Sequence, residues 1–255
     1  MVRAEESPVL VERTGAVLVI TLNRPEVLNA INVELLHDLL AALRAASADP
    51  LTRAVLLRGA GRAFCAGADR NEWTRPERVD PAARRAWLAE LQELTTVLWE
   101  SPKPSVATVK GHVVGAGLDL MIACDVTVAA SETRFRIPEL SLGVGLTGGS
   151  TYLLPHLIGL AQAKRLVLLR EAIDAVAAAR MGLVSRVTDT DVEAEAEGLR
   201  IAQDLTDLDQ AMVAKVRSAL HAGCGGTLAA ALERELAIGR AITPAAPPLG
   251  QRQGE

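Results

Sequence analysis

Gly61-Arg62-Ala63-Phe64-Cys65-Ala66-Gly67-Ala68-Asp69 and Gly111-His112-Val113-Val114-Gly115-Ala116-Gly117-Leu118-Asp119 lie far apart in the chain but share one design, a small-residue turn that ends at an acid. Small side chains let a backbone pass close to a ligand, and glycine reaches conformations that aim N–H groups outward. Two such turns, if they converge, can stabilise an oxygen that gains negative charge. The pair points to chemistry at a carbonyl or thioester.

Strands and helices alternate around these turns. Arg53 to Leu57 reads as a strand feeding the first turn, and Ser105 to Val109 as a strand feeding the second. Leu118 to Cys124 follows as a short helix and Val126 to Ala130 as another strand. Upstream, Ala16 to Leu22 is a β-branched apolar run that Arg24-Pro25 ends, because proline cannot donate to a sheet ladder. Leu35, Leu36, Leu39, Leu40 and Leu43 then fall at helical intervals behind Asn32 as N-cap. Ala82 to Glu100 reads as a helix stopped by Pro102 and Pro104. Strand, turn, helix, strand recurs without a sequence period, which predicts an α/β fold of stacked ββα-like units.

Leu140 to Ala163 carries no charge, but its glycines, Pro155 and His156 argue for a buried loop leading into a helix and against a membrane span. After Val187 the composition turns to Ala, Leu, Glu and Asp, with helices expected over Asp191 to Leu205, Asp209 to His221 and Thr227 to Ala241. We therefore divide the chain into a core, 1–190, a helical oligomerisation region, 191–243, and a loose tail, 244–255.

Composition narrows the function. The chain has 255 residues, of which 49% are hydrophobic, enough for a sizeable core. Only 2% are aromatic and the net charge is −4, so neither stacking platforms nor a basic footprint for nucleic acid is present. The start, MVRAEESPVL, has no apolar run and reads as neither signal nor transit peptide. Cys65, Cys124 and Cys224 are odd in number and far apart, as expected of reduced thiols in the cytoplasm, and no zinc spacing occurs.

Asp119 stands inside the apolar run VVGAGLDLMIAC, where a carboxylate is costly unless it has partners or a chemical role. Glu139 is the other acid held among apolar neighbours, with Arg136 as a candidate neutralising partner. Asp125 reads as structural, closing a helix-to-strand turn, and Asp69 alone would pass for a helix cap. Gly115-Ala116-Gly117 lacks the third glycine of a dinucleotide fingerprint, since position 120 is Leu, and neither a Walker lysine nor a nucleophile elbow occurs.

These residues carry a resemblance. Leu22-Asn23-Arg24-Pro25-Glu26-Val27-Leu28-Asn29-Ala30, the turn Phe64 to Asp69, Lys103-Pro104, the segment Gly111 to Asp125, Pro138-Glu139 and ARMGLV at Ala179 to Val184 resemble the crotonase superfamily in content, order and spacing, over roughly Leu10 to Val187. The set is far more specific than any member of it. The resemblance implies a crotonase (ClpP/crotonase-like) fold of repeated ββα units and an enoyl-CoA hydratase or isomerase that needs no metal and no cofactor, coenzyme A being part of the substrate.

It also implies roles. The N–H groups of Ala68 and Ala116 match the oxyanion-hole donors, each worth about 3 kcal/mol of transition-state stabilisation in such sites. Asp119 and Glu139 match the two catalytic acids. Ala66, Ala68, Asp69, Arg70 and Asn71 match the loop that clasps the CoA moiety. Relatives assemble as trimers or hexamers, for which the alanine-rich C-terminal helices are suitable contacts.

The chain also departs from the pattern. Asp119 is one methylene shorter than the expected glutamate, which withdraws the carboxylate by about 1 Å, a shift able to cost roughly a hundredfold in rate. Glu26 and Asn71 replace lysines that meet CoA phosphates, with Arg70 as a substitute for one of them, and the tail AITPAAPPLGQRQGE lacks the usual final Phe-and-basic helix. The loop near Thr147 lacks the aspartate a dehalogenase would use. His112 is assigned no role. Trp73, Trp87 and Trp99 lie where the acyl chain is often covered, though packing explains them more simply. The sequence thus predicts hydration of a 2-enoyl-CoA, with 3-enoyl to 2-enoyl isomerisation by Glu139, or acyl-CoA binding without turnover, as alternatives.

Overall fold

The main sheet contains six strands in the order β1 (Val9–Thr14), β2 (Val17–Leu22), β3 (Ala54–Gly59), β4 (Ser105–Val109), β6 (Val126–Ala130) and β9 (Arg186–Thr188). A smaller sheet pairs β5 (His112–Val114) with β7 (Arg134–Arg136) and β7 with β8 (Ile173–Asp174). These features come from a computed structural model that describes residues 7–73 and 80–240. All main-sheet neighbours run parallel except β1 and β2, which form an antiparallel hairpin.

Every residue of β2 is buried, as in a parallel sheet covered on both faces. The alternation of side chains across the strand divides them between two cores. Val17 and Val19 face a layer with Leu56, Val106 and Ala202, whereas Leu18, Ile20 and Leu22 join the larger core. Helix α7 (Asp191–Thr206) forms the first layer, and Gly198 comes so close to β4 that a Cβ there would collide with Thr108. Helix α1 (Val33–Ala48) covers the other face, and α3 (Pro81–Glu100) packs against α1 and completes that core. The Asn32 side chain accepts from Leu35 N–H to start α1, whose five expected leucines are all buried, each contributing roughly 2 kcal/mol of transfer free energy. Asp80 caps α3 in the same way, with Pro81 in its first turn.

The remaining helices are α2 (Arg70–Trp73), α4 (Ala116–Ile122), α5 (Ser150–Leu169), α6 (Ala175–Arg180), α8 (Gln210–Gly223) and α9 (Leu228–Arg240). The mixed α/β fold expected from the sequence is present. The uncharged stretch after Leu140 differs from expectation. It does lead into α5, but Leu140 and Leu142 are 44% and 54% exposed, and within residues 140–150 only Gly148 and Ser150 are buried. Absence of charge there reflects short turns and apolar side chains left at the surface, not burial. Residues 241–255, including the tail, lie outside the described residues.

One segment before α1 sets the position of the first glycine turn. Leu28 and Asn29 both adopt left-handed backbone conformations, which cost energy in non-glycine residues. That geometry turns the fully buried Asn29 amide inward, where Nδ2 donates to Ala60 O, Ala63 O and Phe64 O at 2.9, 2.8 and 3.1 Å. Its Oδ1 accepts from Arg24 N–H at 2.8 Å. Arg24 in turn pairs with Asp69 at 3.0 Å and donates to Ala30 O. Asn29→Ala strands several buried carbonyls, so we expect it to lower unfolding free energy by about 3 kcal/mol. Urea denaturation checks this, and a loss under about 1 kcal/mol contradicts the role given to the amide.

Candidate active site

The two glycine turns meet. Phe64 N–H donates to Lys110 O at 2.9 Å, Cys65 N–H to His112 O at 3.1 Å, and Val114 N–H to Cys65 O at 3.0 Å. Glycine is required where the chains touch. A Cβ on Gly117 would lie 2.5 Å from Cys65 O, and one on Gly67 would lie 2.7 Å from Val114 O and 3.4 Å from Ala116 N. Gly67 also has a φ of +91°, which disfavours any side chain.

Ala68 follows Gly67, and Ala116 opens α4, where a first-turn N–H has no partner within the helix. Among the described residues neither N–H has a hydrogen-bond acceptor, whereas the N–H groups beside Ala68 are spent: Asp69 donates to Ile31 O and Gly67 to Cys65 Sγ. Both alanines are half-buried. The arrangement offers two unspent donors on neighbouring turns, which can polarise a carbonyl oxygen.

Glu139 is carried to the same place by β7. Arg136 O accepts from Gly115 N–H at 3.0 Å, and three residues later Glu139 opens a short 3-10 helix, Glu139–Leu142. A Cβ on Gly115 would lie 2.5 Å from Glu139 Oε1, so glycine there lets the carboxyl reach the second turn. Burial, with a smaller contribution from the nearby Asp119 charge, pushes the Glu139 carboxyl up to about 7. Its Oε2 is buried without a partner among the described residues. Arg136 is exposed and makes no ion pair with Glu139 among the described residues, so the neutralising partner expected from the sequence is absent.

Asp119 lies in α4, 7% exposed. Burial pushes its carboxyl up to about 6, against hydrogen bonds from the Ser150 hydroxyl and Gly148 N–H that favour the charged form. Ser150 escapes a reading of the sequence, as does Thr95, whose Oγ1 donates to Gly148 O at 2.7 Å. A serine after two glycines carries no signal until the fold places it against an acid.

The remaining expected residues have plain positions. Asp69 is buried, paired with Arg24, and accepts from Asn71 N–H at 3.0 Å. Arg70 and Asn71 are exposed beside it, and Ala66 N–H is spent on Leu28 O at 2.9 Å. Asp125 joins β4 to β6 by accepting from Ser105 N–H and Oγ at 2.8 and 2.9 Å, and pairs with the buried Arg217 of α8 at 2.6 Å. Trp87 is buried in the core, the Trp73 side chain lies outside the described residues, and Trp99 stacks on His221 with ring centroids 3.6 Å apart. Trp99 borders an apolar cavity of about 720 Å³ between α5 and α8, lined also by Leu153, Leu157, Met212 and Leu220 but by neither Asp119 nor Glu139. Among the described residues no group of three or more His, Cys, Asp or Glu could hold a metal, and no helix is long and apolar enough to cross a membrane.

Two unspent N–H groups, with buried Asp119 and half-buried Glu139 on neighbouring elements, form an arrangement that can polarise a carbonyl oxygen while protons move nearby. Comparison with known proteins gives the family. The family model described as enoyl-CoA hydratase/isomerase matches residues 12–244. The chain is similar to a probable enoyl-CoA hydratase of Rhodobacter capsulatus, 36% identical over 88% of this chain and 85% of that one. It is 37% identical to the 2,3-dehydroadipyl-CoA hydratase of Escherichia coli over 74% of this chain and 72% of the relative. The crystal structure of an enoyl-CoA hydratase from Bacillus anthracis superposes with a TM-score of 0.87 at 29% identity, covering 91% of this chain and 90% of that one. The protein belongs to the enoyl-CoA hydratase/isomerase family of the crotonase superfamily and has its fold.

The raised acids make a stability prediction. A carboxyl with a raised folded-state pKa stabilises the fold below its unfolded pKa and loses that contribution as pH rises through the folded value. For Glu139 the loss falls between its ordinary 4.5 and about 7. Glu139→Gln should therefore melt higher than the parent at pH 8, with the gap closing at pH 4 to 5. A gap that stays constant across that range contradicts the burial of this carboxyl.

Proposed function

We propose that the protein adds water across the double bond of a 2-enoyl-CoA thioester, with Asp119 and Glu139 as the acid-base pair and the N–H groups of Ala68 and Ala116 as the oxyanion hole. The observation that carries this reading is the meeting of the two turns at unspent donors, with buried Asp119 and half-buried Glu139 on the adjoining elements. The names of the relatives support it.

In this mechanism one acid takes a proton from water as the oxygen attacks C3. Electron density moves through C2 to the thioester oxygen, where the two N–H groups hold the developing charge, and the other acid delivers a proton to C2. Carboxyls raised to about 6 and about 7 suit the exchange, since near neutrality one can accept a proton while the other gives one.

For coenzyme A we assign the segment Ala66 to Asn71. The Ala66 carbonyl is the group left to a ligand once its N–H is bonded to Leu28, and Arg70 and Asn71 are exposed beside it, with Arg70 as the cation for a CoA phosphate. Asp69 acts by fixing the segment through Arg24 and Asn71 N–H. Exposed apolar residues of α8 and α9, such as Leu220, Leu228 and Leu232, suit contacts in a homotrimer or hexamer. No resident cofactor or metal enters the reaction, and the protein is read as cytoplasmic.

A second reading has its own observation: Asp119 is already engaged by Ser150 and Gly148, whereas Glu139 Oε2 is buried with no partner among the described residues. Glu139 alone could then move a proton between C4 and C2 and isomerise a 3-enoyl-CoA. Ultraviolet absorbance separates the readings. Hydration of 2-enoyl-CoA lowers the absorbance of the conjugated thioester, and isomerisation of 3-enoyl-CoA raises it. We expect the fall, reduced roughly a thousandfold by Asp119→Asn and by Glu139→Gln. A rise with 3-enoyl-CoA and no fall with 2-enoyl-CoA supports isomerisation, and no turnover of either contradicts both.

A further inference from the structure

Among the described residues the Asp119 carboxylate receives no hydrogen bond from its own helix: Leu118, Leu120, Met121 and Ile122 around it are buried and apolar. What holds the carboxylate comes from the opposite side, the loop running into α5. Ser150, 2% exposed, donates its hydroxyl to Asp119 Oδ1, and Gly148 N–H donates to the same carboxylate. The loop is pressed against the acid, since a Cβ on Gly148 would collide with Asp119 Oδ2 and lie 2.5 Å from both its Cβ and Cγ. It is also braced from behind, by Thr95 Oγ1 of α3 on Gly148 O at 2.7 Å. The next residue, Gly149, has a φ of +91° and packs so that a Cβ would lie 3.2 Å from Thr95 Cγ2.

We propose that Ser150 is a positioning residue for Asp119, and that the braced loop comes forward to a short carboxylate where a longer acid would have reached out unaided. The proposal deepens the hydration reading and rests on it for its kinetic consequence. It gives the 148–150 loop a specific function. With a single methylene, Asp119 cannot choose its own direction, so the Ser150 hydroxyl fixes which oxygen faces the substrate. Lengthening the acid then does not improve the enzyme, because the space a glutamate needs is occupied by Gly148.

Four proteins test this: the parent, Ser150→Ala, Ser150→Thr and Asp119→Glu, each checked for folding by circular dichroism. Two readouts are needed, hydration kinetics against pH and direct titration of Asp119 by its 13C carboxyl resonance, the second independent of activity. For Ser150→Ala we expect kcat to fall on the order of tenfold to a hundredfold with KM little changed. Its acid limb should move to higher pH, because a donor to the charged form is lost. Ser150→Thr, which keeps the hydroxyl, should restore most of kcat and the parent titration, and Asp119→Glu should be slower than the parent.

If the parent hydrates but Ser150→Ala matches it in kcat and in the Asp119 titration, Ser150 does not position the acid and the proposal is overturned. An Asp119→Glu variant faster than the parent overturns it equally. If the parent hydrates nothing while the Asp119 titration still moves upward in Ser150→Ala and returns in Ser150→Thr, the hydration reading fails and the coupling of Ser150 to Asp119 stands.

Discussion

Three backbone hydrogen bonds join residues 64 and 65 to residues 110, 112 and 114, and the site is assembled around them. The two turns come from parts of the chain about fifty residues apart, on strands β3 and β4 that already lie side by side. A parallel sheet places the C-terminal ends of its strands together, so the turns that follow β3 and β4 emerge on the same edge. The hydrogen bonds then draw them into contact. Glycine at 67 and 117 is the condition for that contact, because any side chain would enter the space of the facing carbonyl.

The contact leaves some donors spent and others free. Gly67, Asp69, Val114 and Gly115 give their N–H groups to the protein, while those of Ala68 and Ala116 have no acceptor among the described residues. Half-buried donors without acceptors weaken a finished fold. The same tension appears in the acids, which burial holds well above the ordinary carboxylate range and which therefore weaken the fold wherever they ionise. The strain is concentrated at one place and offset by the packing around it: Asn29 and Arg24 under the first turn, the leucines of α1, and the Asp125–Arg217 pair that fixes α8 beside β4 and β6.

Much of this is legible in the sequence. Periodicity locates β2, β3, β4, β6, α1, α3 and α7 to within a few residues, because each is long or strongly patterned. The short strands β5, β7, β8 and β9 are not legible, since two or three residues hold too little pattern to separate strand from turn. The two glycine turns, Asp119 and Glu139 can be named in advance, because acids in apolar runs and small-residue turns are locally conspicuous. Ser150, Thr95 and Arg217 cannot, because their roles exist only through contacts with residues 31, 53 and 92 positions away. Arg136 fails as the partner of Glu139 for a related reason: it is near that acid in sequence, yet it ends β7 with its side chain at the surface, whereas Glu139 lies in the 3-10 helix that follows.

The central proposal is that Ala68 and Ala116 N–H groups together hold the thioester oxygen. Infrared difference spectroscopy of a bound 2-enoyl-CoA carrying 13C at the thioester carbonyl addresses it most directly. The account predicts a carbonyl stretch clearly below its frequency in water, because two directed donors polarise the bond more than solvent does. A bound thioester whose carbonyl absorbs at its solution frequency would contradict the account.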